Sequence, residues 1–139
     1  MALKQIGFVD LISAIKQRVE ADTDYTCYDA VPKNAPSPFY FAEAINKRPD
    51  NTKTCFRDVF TVNIHCIAQA EDNGSSVGVY EMIQALEEAL TVDIDLGTEY
   101  WLISQTDTGV QTIFEEETKE KHAVCGFEFR VSYGFKTKI

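Results

Sequence analysis

From His122 to the C-terminus the chain reads as a nearly strict alternation. Ala123, Cys125, Phe127, Phe129, Val131, Tyr133 and Phe135 fall on one side, and His122, Gly126, Glu128, Arg130, Ser132 and Gly134 on the other. A period of two is the mark of a strand with one buried face. A strand of this length commits the chain to a sheet whose second face is polar. Residues 56–68 repeat the pattern, with Phe56, Phe60, Val62, Ile64 and Cys66 pointing one way and Arg57, Thr61, Asn63 and His65 the other. Shorter strands are predicted at Phe39–Ile45, 100–106 and 110–115, the last two joined by a tight turn at Asp107-Thr108-Gly109.

Two segments follow a helical period instead. Phe8, Leu11, Ile12, Ile15 and Val19 predict an amphipathic helix over residues 5–20. Val79, Met82, Ile83, Leu86 and Leu90 predict a second, capped by Ser75 or Ser76 after the turn-prone Glu71-Asp72-Asn73-Gly74. Segregated antiparallel strands with two such helices define an α+β fold: a mostly antiparallel sheet of four to five strands, both helices packed on one face. At 139 residues the expectation is a single domain over residues 1–139.

The charge balance narrows the function classes. A net charge of −9 argues against tight binding to nucleic acid backbones, which needs clustered Lys and Arg. DNA could still pass an acidic surface without adhering. No apolar run approaches the roughly 20 residues of a membrane helix. The N-terminus carries Asp10, Lys16 and Gln17 inside its apolar pattern and no small-residue cleavage site follows, so it reads as a helix of the folded protein rather than a signal peptide. Cys27, Cys55, Cys66 and Cys125 are widely spaced without a CxxC pair, the pattern of reduced, buried thiols in a chain made in the cytoplasm.

A search for reaction chemistry ends without a catalytic group. His65-Cys66 and His122-Ala123-Val124-Cys125 bring both metal-ligand types close in sequence. Strand parity sends both cysteines to the core and both histidines outward, so a mixed metal site would need a bulge in each strand. The same objection meets a Cys–His nucleophile pair. No GxSxG, P-loop or GxGxxG occurs. The run Glu115-Glu116-Glu117, followed by Lys119, Glu120 and Lys121, reads as a solvated hairpin turn, and Asp93-Ile94-Asp95 as a loop. No metal and no cofactor is expected.

What remains is surface for contact. Asn46–Thr54 (NKRPDNTKT) lies between two strands and is too long for a tight turn. Two readings stay open for it: a disordered surface loop, or an arm that orders on contact with a neighbour. Lys47, Arg48, Asp50, Lys53 and Arg57 would supply its charged contacts, with Glu128 and Arg130 on the polar face beside it.

The layout then resembles a known family. A helix "LISAIKQRVEADT" leads to "YTCYDAVP", then "APSPFYFAEA", a polar loop ending "TKTCFRDVFTVNIHCIAQA", a helix "GVYEMIQALEEAL" and a last strand "AVCGFEFRVSYGF". This looks like the tail completion or tail terminator (head–tail joining) proteins of bacteriophages and prophages. The resemblance implies a structural protein of the virion tail or neck, made in the bacterial host cytoplasm and not an enzyme. It implies a ring, typically a hexamer, on the head-proximal end of the tail tube, meeting the head connector while DNA passes through the lumen. Pro32, Pro36 and Pro38 would then hold the chain entering the strand, and the loop after it would reach a tube subunit or ring neighbour. The resemblance gives no role to Asp107–Lys121. A head-side connector or adaptor of the same neck is the first alternative. A small-ligand-binding α+β domain is the second, and the almost wholly apolar buried faces count against it.

Overall fold

The computed structural model describes residues 3–135. Its elements run α1 (Phe8–Asp22), β1 (Cys27–Tyr28), β2 (Phe39–Pro49), β3 (Cys55–Ala68), α2 (Val77–Ala89), β4 (Trp101–Glu115) and β5 (Lys121–Phe135). The five strands form one sheet in the order β1-β2-β3-β5-β4. The short β1 pairs parallel with β2, and every other pairing is antiparallel. This is the expected α+β class, with both helices on one side.

The alternation places the core. Phe60, Val62, Ile64 and Cys66 of β3 pair with Phe129, Phe127, Cys125 and Ala123 of β5, and all are buried. Leu11, Ile15 and Val19 of α1 and Val79, Met82 and Leu86 of α2 close the same cluster. The Phe135 side chain, assigned to this face by the alternation, lies outside the described residues. Tyr40 ties β2 to α2, because its buried hydroxyl donates to the Met82 carbonyl at 2.7 Å. Its ring meets Tyr25 edge to face. The turn before α2 forms at Glu71–Gly74, where Gly74 adopts φ +72 and its N–H donates to the Glu71 carbonyl. Ser76 occupies the cap position without a side-chain cap bond, and the Oγ of Ser75, one residue earlier, accepts from the Val77 N–H at 3.2 Å.

Two sequence expectations fail, each for a physical reason. The tight turn at Asp107-Thr108-Gly109 is instead a bulge inside one continuous β4. β5 runs on beside it and offers partners on both sides, so the chain has no need to reverse. Asp107 Oδ1 accepts the Gly109 N–H at 2.8 Å, a local turn contained within the strand.

The loop Asn46–Thr54 is the second. β2 continues to Pro49, past a register shift between Ala44 and Asn46, and only Asp50–Thr54 connects it to β3. The Asp50 N–H donates to the Arg57 carbonyl at 2.8 Å and the Thr52 N–H to the Cys55 carbonyl at 2.9 Å, closing the tip. The disordered-loop and ordering-arm readings both give way to a hairpin that is already folded.

Candidate functional site

The helix-free face of the sheet gathers Arg48, Asp50, Arg57, Glu128 and Arg130 of the residues singled out as contacts. It is stitched from strand to strand by charge. Asp50 Oδ2 sits 3.0 Å from Arg57 Nη2 and 2.8 Å from Arg130 Nε, binding the hairpin tip to β5. This oxygen is sealed from solvent and held by ion pairing rather than by an aligned hydrogen bond. Arg57 also donates through Nε to the Asp50 carbonyl at 3.0 Å, and its N–H donates to Asn51 Oδ1 at 2.9 Å. Arg48 reaches Glu128 at 3.1 Å.

Lys47 has crossed to the helix side because the β2 bulge changes its parity. There its ammonium lies 5.5 Å from the Phe60 ring centroid and 3.6 Å from Asp58. Asp58 is buried and accepts the Tyr133 hydroxyl at 2.6 Å. Burial, reinforced by that bond, pushes the Tyr133 phenol above its ordinary range. Of the seven predicted contact residues, Lys53 makes no ion pair among the described residues; it stands exposed at the tip.

Further down the open face, Gln111 donates to Asn63 at 2.9 Å across Gly126. Beyond it lies a feature the sequence did not announce. His65 and His122 point outward, as parity requires, and their rings meet: His65 Nδ1 is 2.7 Å from His122 Nε2. Glu43 Oε1 lies 3.1 Å from the outer His65 nitrogen, and Glu116 Oε1 lies 2.6 Å from the outer His122 nitrogen. Phe41 stacks on His65 and Phe114 on His122. Ile67 pairs with His122 and His65 with Val124, so the two histidines are diagonal neighbours. Only the β3–β5 register brings them together, and α2 and β4 intervene in the chain between those strands. Cys66 and Cys125, next in sequence to these histidines or three residues on, are buried on the opposite face.

The β4–β5 turn closes as the charge run suggested. The Glu116 N–H donates to the Glu120 carbonyl and the Lys119 N–H to the Glu116 carbonyl. The Lys121 ammonium, 2.9 Å from Glu115, holds that carboxyl below its usual range. The sheet is therefore polarised along its strands. Lys47, Arg48, Lys53, Arg57 and Arg130 outnumber Asp50, Asp58 and Glu128 at the hairpin end, and Glu115, Glu116, Glu117 and Glu120 outnumber Lys119 and Lys121 at the other. From Lys121 to Arg130 along β5 the two ends are about 30 Å apart.

Asp50→Ala tests the stitching. It strands the Arg57 and Arg130 guanidiniums, both partly exposed, so the expected cost is about 1–2 kcal/mol. Amide exchange at Asp50 and Thr52 should accelerate well beyond the change in core amides. Unchanged protection at those amides would show that the tip is held by its backbone alone.

The fold and this face define a class: an α+β sheet domain whose polar surface is organised by side chains bonding one another. Within that class the chain belongs to a family of phage tail termination proteins, for the family described as "Putative tail termination protein" matches residues 2–139. No curated protein sequence matches it. Among solved structures, a chain of the "Virion of native gene transfer agent (GTA) particle" aligns with a TM-score of 0.66 at 19% identity. The alignment covers 88% of this chain and 94% of that one. At that identity the likeness is one of fold.

Proposed function

We propose that this protein terminates a phage-type tail: copies form a ring, typically a hexamer, on the head-proximal end of the tail tube, stop its growth and join it to the head connector. The observation that carries the reading is the family match along nearly the whole chain. The fold likeness to a chain of a gene transfer agent particle supports a place in the virion. The architecture supports it too. Ala42–Pro49 of β2 has no outer strand partner among the described residues, and neither does β4, so each copy presents two free sheet edges. Unlike edges and unlike charged ends favour head-to-tail contacts, the kind that yields a ring when the rotation between copies closes. The net charge of −9 suits a lumen through which DNA slides. The role is assembly rather than catalysis: the ionisable groups of the open face are occupied with one another.

Within this reading Lys53 and the hairpin tip are the contact to the tube or to a ring neighbour, held rigid by Asp50, Arg57 and Arg130. Arg48, Glu128 and Lys47 support it from behind. Size-exclusion chromatography with light scattering, with and without purified tail tubes, is the test. The expected result is rings in solution or rings formed on tube ends. A strict monomer that leaves tube ends free would sink the proposal. Tails assembled without the protein should be abnormally long or headless. Capture by the head connector but not by the tube would move the protein to the head side of the neck.

A further inference from the structure

We propose that the free edge of β2, with the trough beneath α1 beside it, is the seat for β4 of a second copy, so that one sheet runs on from copy to copy. The inference rests on the ring reading above and names the contact that builds it. Strand direction fits first. β2 and β5 run one way and β3 and β4 the other, so repeating the chain about an axis along the strands sets β4 of one copy antiparallel to β2 of the next. The register follows from the sheet itself. Traced across β3 and β5, Ala42 lies level with Val110, Ala44 with Asp107, Asn46 with Thr106, Lys47 with Gln105, Arg48 with Ser104 and Pro49 with Leu102. No two like charges meet in this set. β1 occupies the edge before Ala42, and β4 is bulged between Leu102 and Ser104 and between Asp107 and Gly109. Only Ser104–Asp107 can therefore form a regular ladder. Four residues of ladder are a weak grip, and side chains must supply the rest.

The trough supplies them. Ala42 and Ala44 are small, and beside them opens a cavity of about 530 Å³ with Phe8, Val9 and Ile12 of α1 on its wall. Val9 is 82% exposed there. Val110 lies on the helix-covered side of β4, paired with the buried Cys125, yet it is itself exposed. Level with Ala42, it would enter the trough of the next copy and bury apolar surface that both copies now leave in water. Charge agrees. Lys16 is the one cation on the trough wall and has no ion pair among the described residues. Two acids also line the trough: Glu43 bonds His65 on the open face, and Asp29 follows β1, past the end of the shared ladder. On the other edge Glu87 of α2 and Asp107 of β4 meet. Burial, and then the Asp107 carboxyl beside it, hold the Glu87 carboxyl above its usual range. Both acids would arrive on the side of the sheet that holds Lys16.

The test introduces Ala44→Cys and Asp107→Cys, both exposed, into the full chain, with Cys55→Ser to remove the half-buried thiol. Rings formed in solution or on tube ends are oxidised with diamide and run on a denaturing gel without reductant. The double variant should give a ladder of covalent multimers that ends at the closed ring. A mixture of the two single variants should give linked dimers, and either single variant alone should give none. Val9→Glu is the second arm and leaves both strand edges native. It should weaken self-association at least ~10-fold while the melting temperature of the monomer moves by no more than about 1 °C, because Val9 is exposed in the single copy. Rings that form unchanged with Val9→Glu, or rings in which the cysteine pair stays unlinked, overturn this contact and leave the ring reading standing. Links between two Ala44→Cys copies alone would show a two-fold pairing of β2 edges and overturn it too. Monomers that leave tube ends free sink the ring reading, and this contact with it.

Discussion

Replacing Phe60 by alanine should cost the protein about 4 kcal/mol and lower its melting temperature by roughly 10 °C. Phe60 is fully buried near the middle of β3, flanked in register by Lys47 of β2 and Phe129 of β5. Its ring meets Phe8 of α1 edge to face at 5.6 Å and lies under the Lys47 ammonium. Truncation therefore removes transfer energy, opens a cavity that a rigid sheet cannot collapse, and breaks an aromatic pair. Phe8→Ala is the natural control, since Phe8 is 44% exposed and its loss should cost about 1 kcal/mol. Urea unfolding measures both, and the midpoint should move with the slope unchanged. The double variant should cost less than the two singles added, because the pair is shared. A loss below about 1.5 kcal/mol for Phe60→Ala would mean that α1 closes over the gap, a core looser than this one.

That core was legible in the sequence because burial on one face imposes a period of two. Phe60 to Cys66 and Ala123 to Tyr133 could hardly be read otherwise. The outward direction of His65 and His122, and the burial of Cys66 and Cys125, follow from the same parity. Their meeting does not follow, because register between strands separated by a helix and another strand is set by the whole sheet. Residues 46–49 were illegible for another reason. Nothing in Asn-Lys-Arg-Pro marks a strand by period, and its order comes from cross-strand partners. Arg48 finds Glu128 80 positions away, and the Ala44/Asn46 bulge turns Lys47 onto the Phe60 ring. Polar edge residues of this kind look like loop until the partner strand is known. The Asp107–Gly109 bulge misled in the same way: its turn chemistry is real, and the neighbouring strand converts it into a kink. Of the seven charged positions chosen as contacts, six spend their charge inside the chain, and Lys47 does so on the opposite face of the sheet.

Alkaline pH should unfold the protein more steeply than any surface substitution. Burial pushes the Cys27 thiol up to about 12, whereas an unfolded thiol ionises near 9. The hydrogen bond to Cys125, together with burial, also pushes Cys66 upward. Burial does the same to the phenols of Tyr40 and Tyr133. In every case the folded chain keeps a proton that the unfolded chain has released. The folded state therefore binds more protons, and stability falls as pH rises. The contribution is fully present below about pH 9, where both states hold these protons. It is lost through the thiols from pH 9 and through the tyrosines from pH 10. Each group takes away about 1.4 kcal/mol per pH unit inside its window. By pH 11 two thiols over two units and two phenols over one together remove about 8 kcal/mol, a loss on the scale of an ordinary domain's reserve of about 5–15 kcal/mol. Melting temperature should thus be flat from about pH 7 to 8.5, decline from 9, and reach spontaneous unfolding near pH 11. Cys27→Ala should start from a lower stability at neutral pH and then decline less steeply, by one proton, between pH 9 and 10. A melting temperature that holds to pH 12 would place these thiols and phenols in water, and the packing of β1 and β2 against the helices would have to be redrawn.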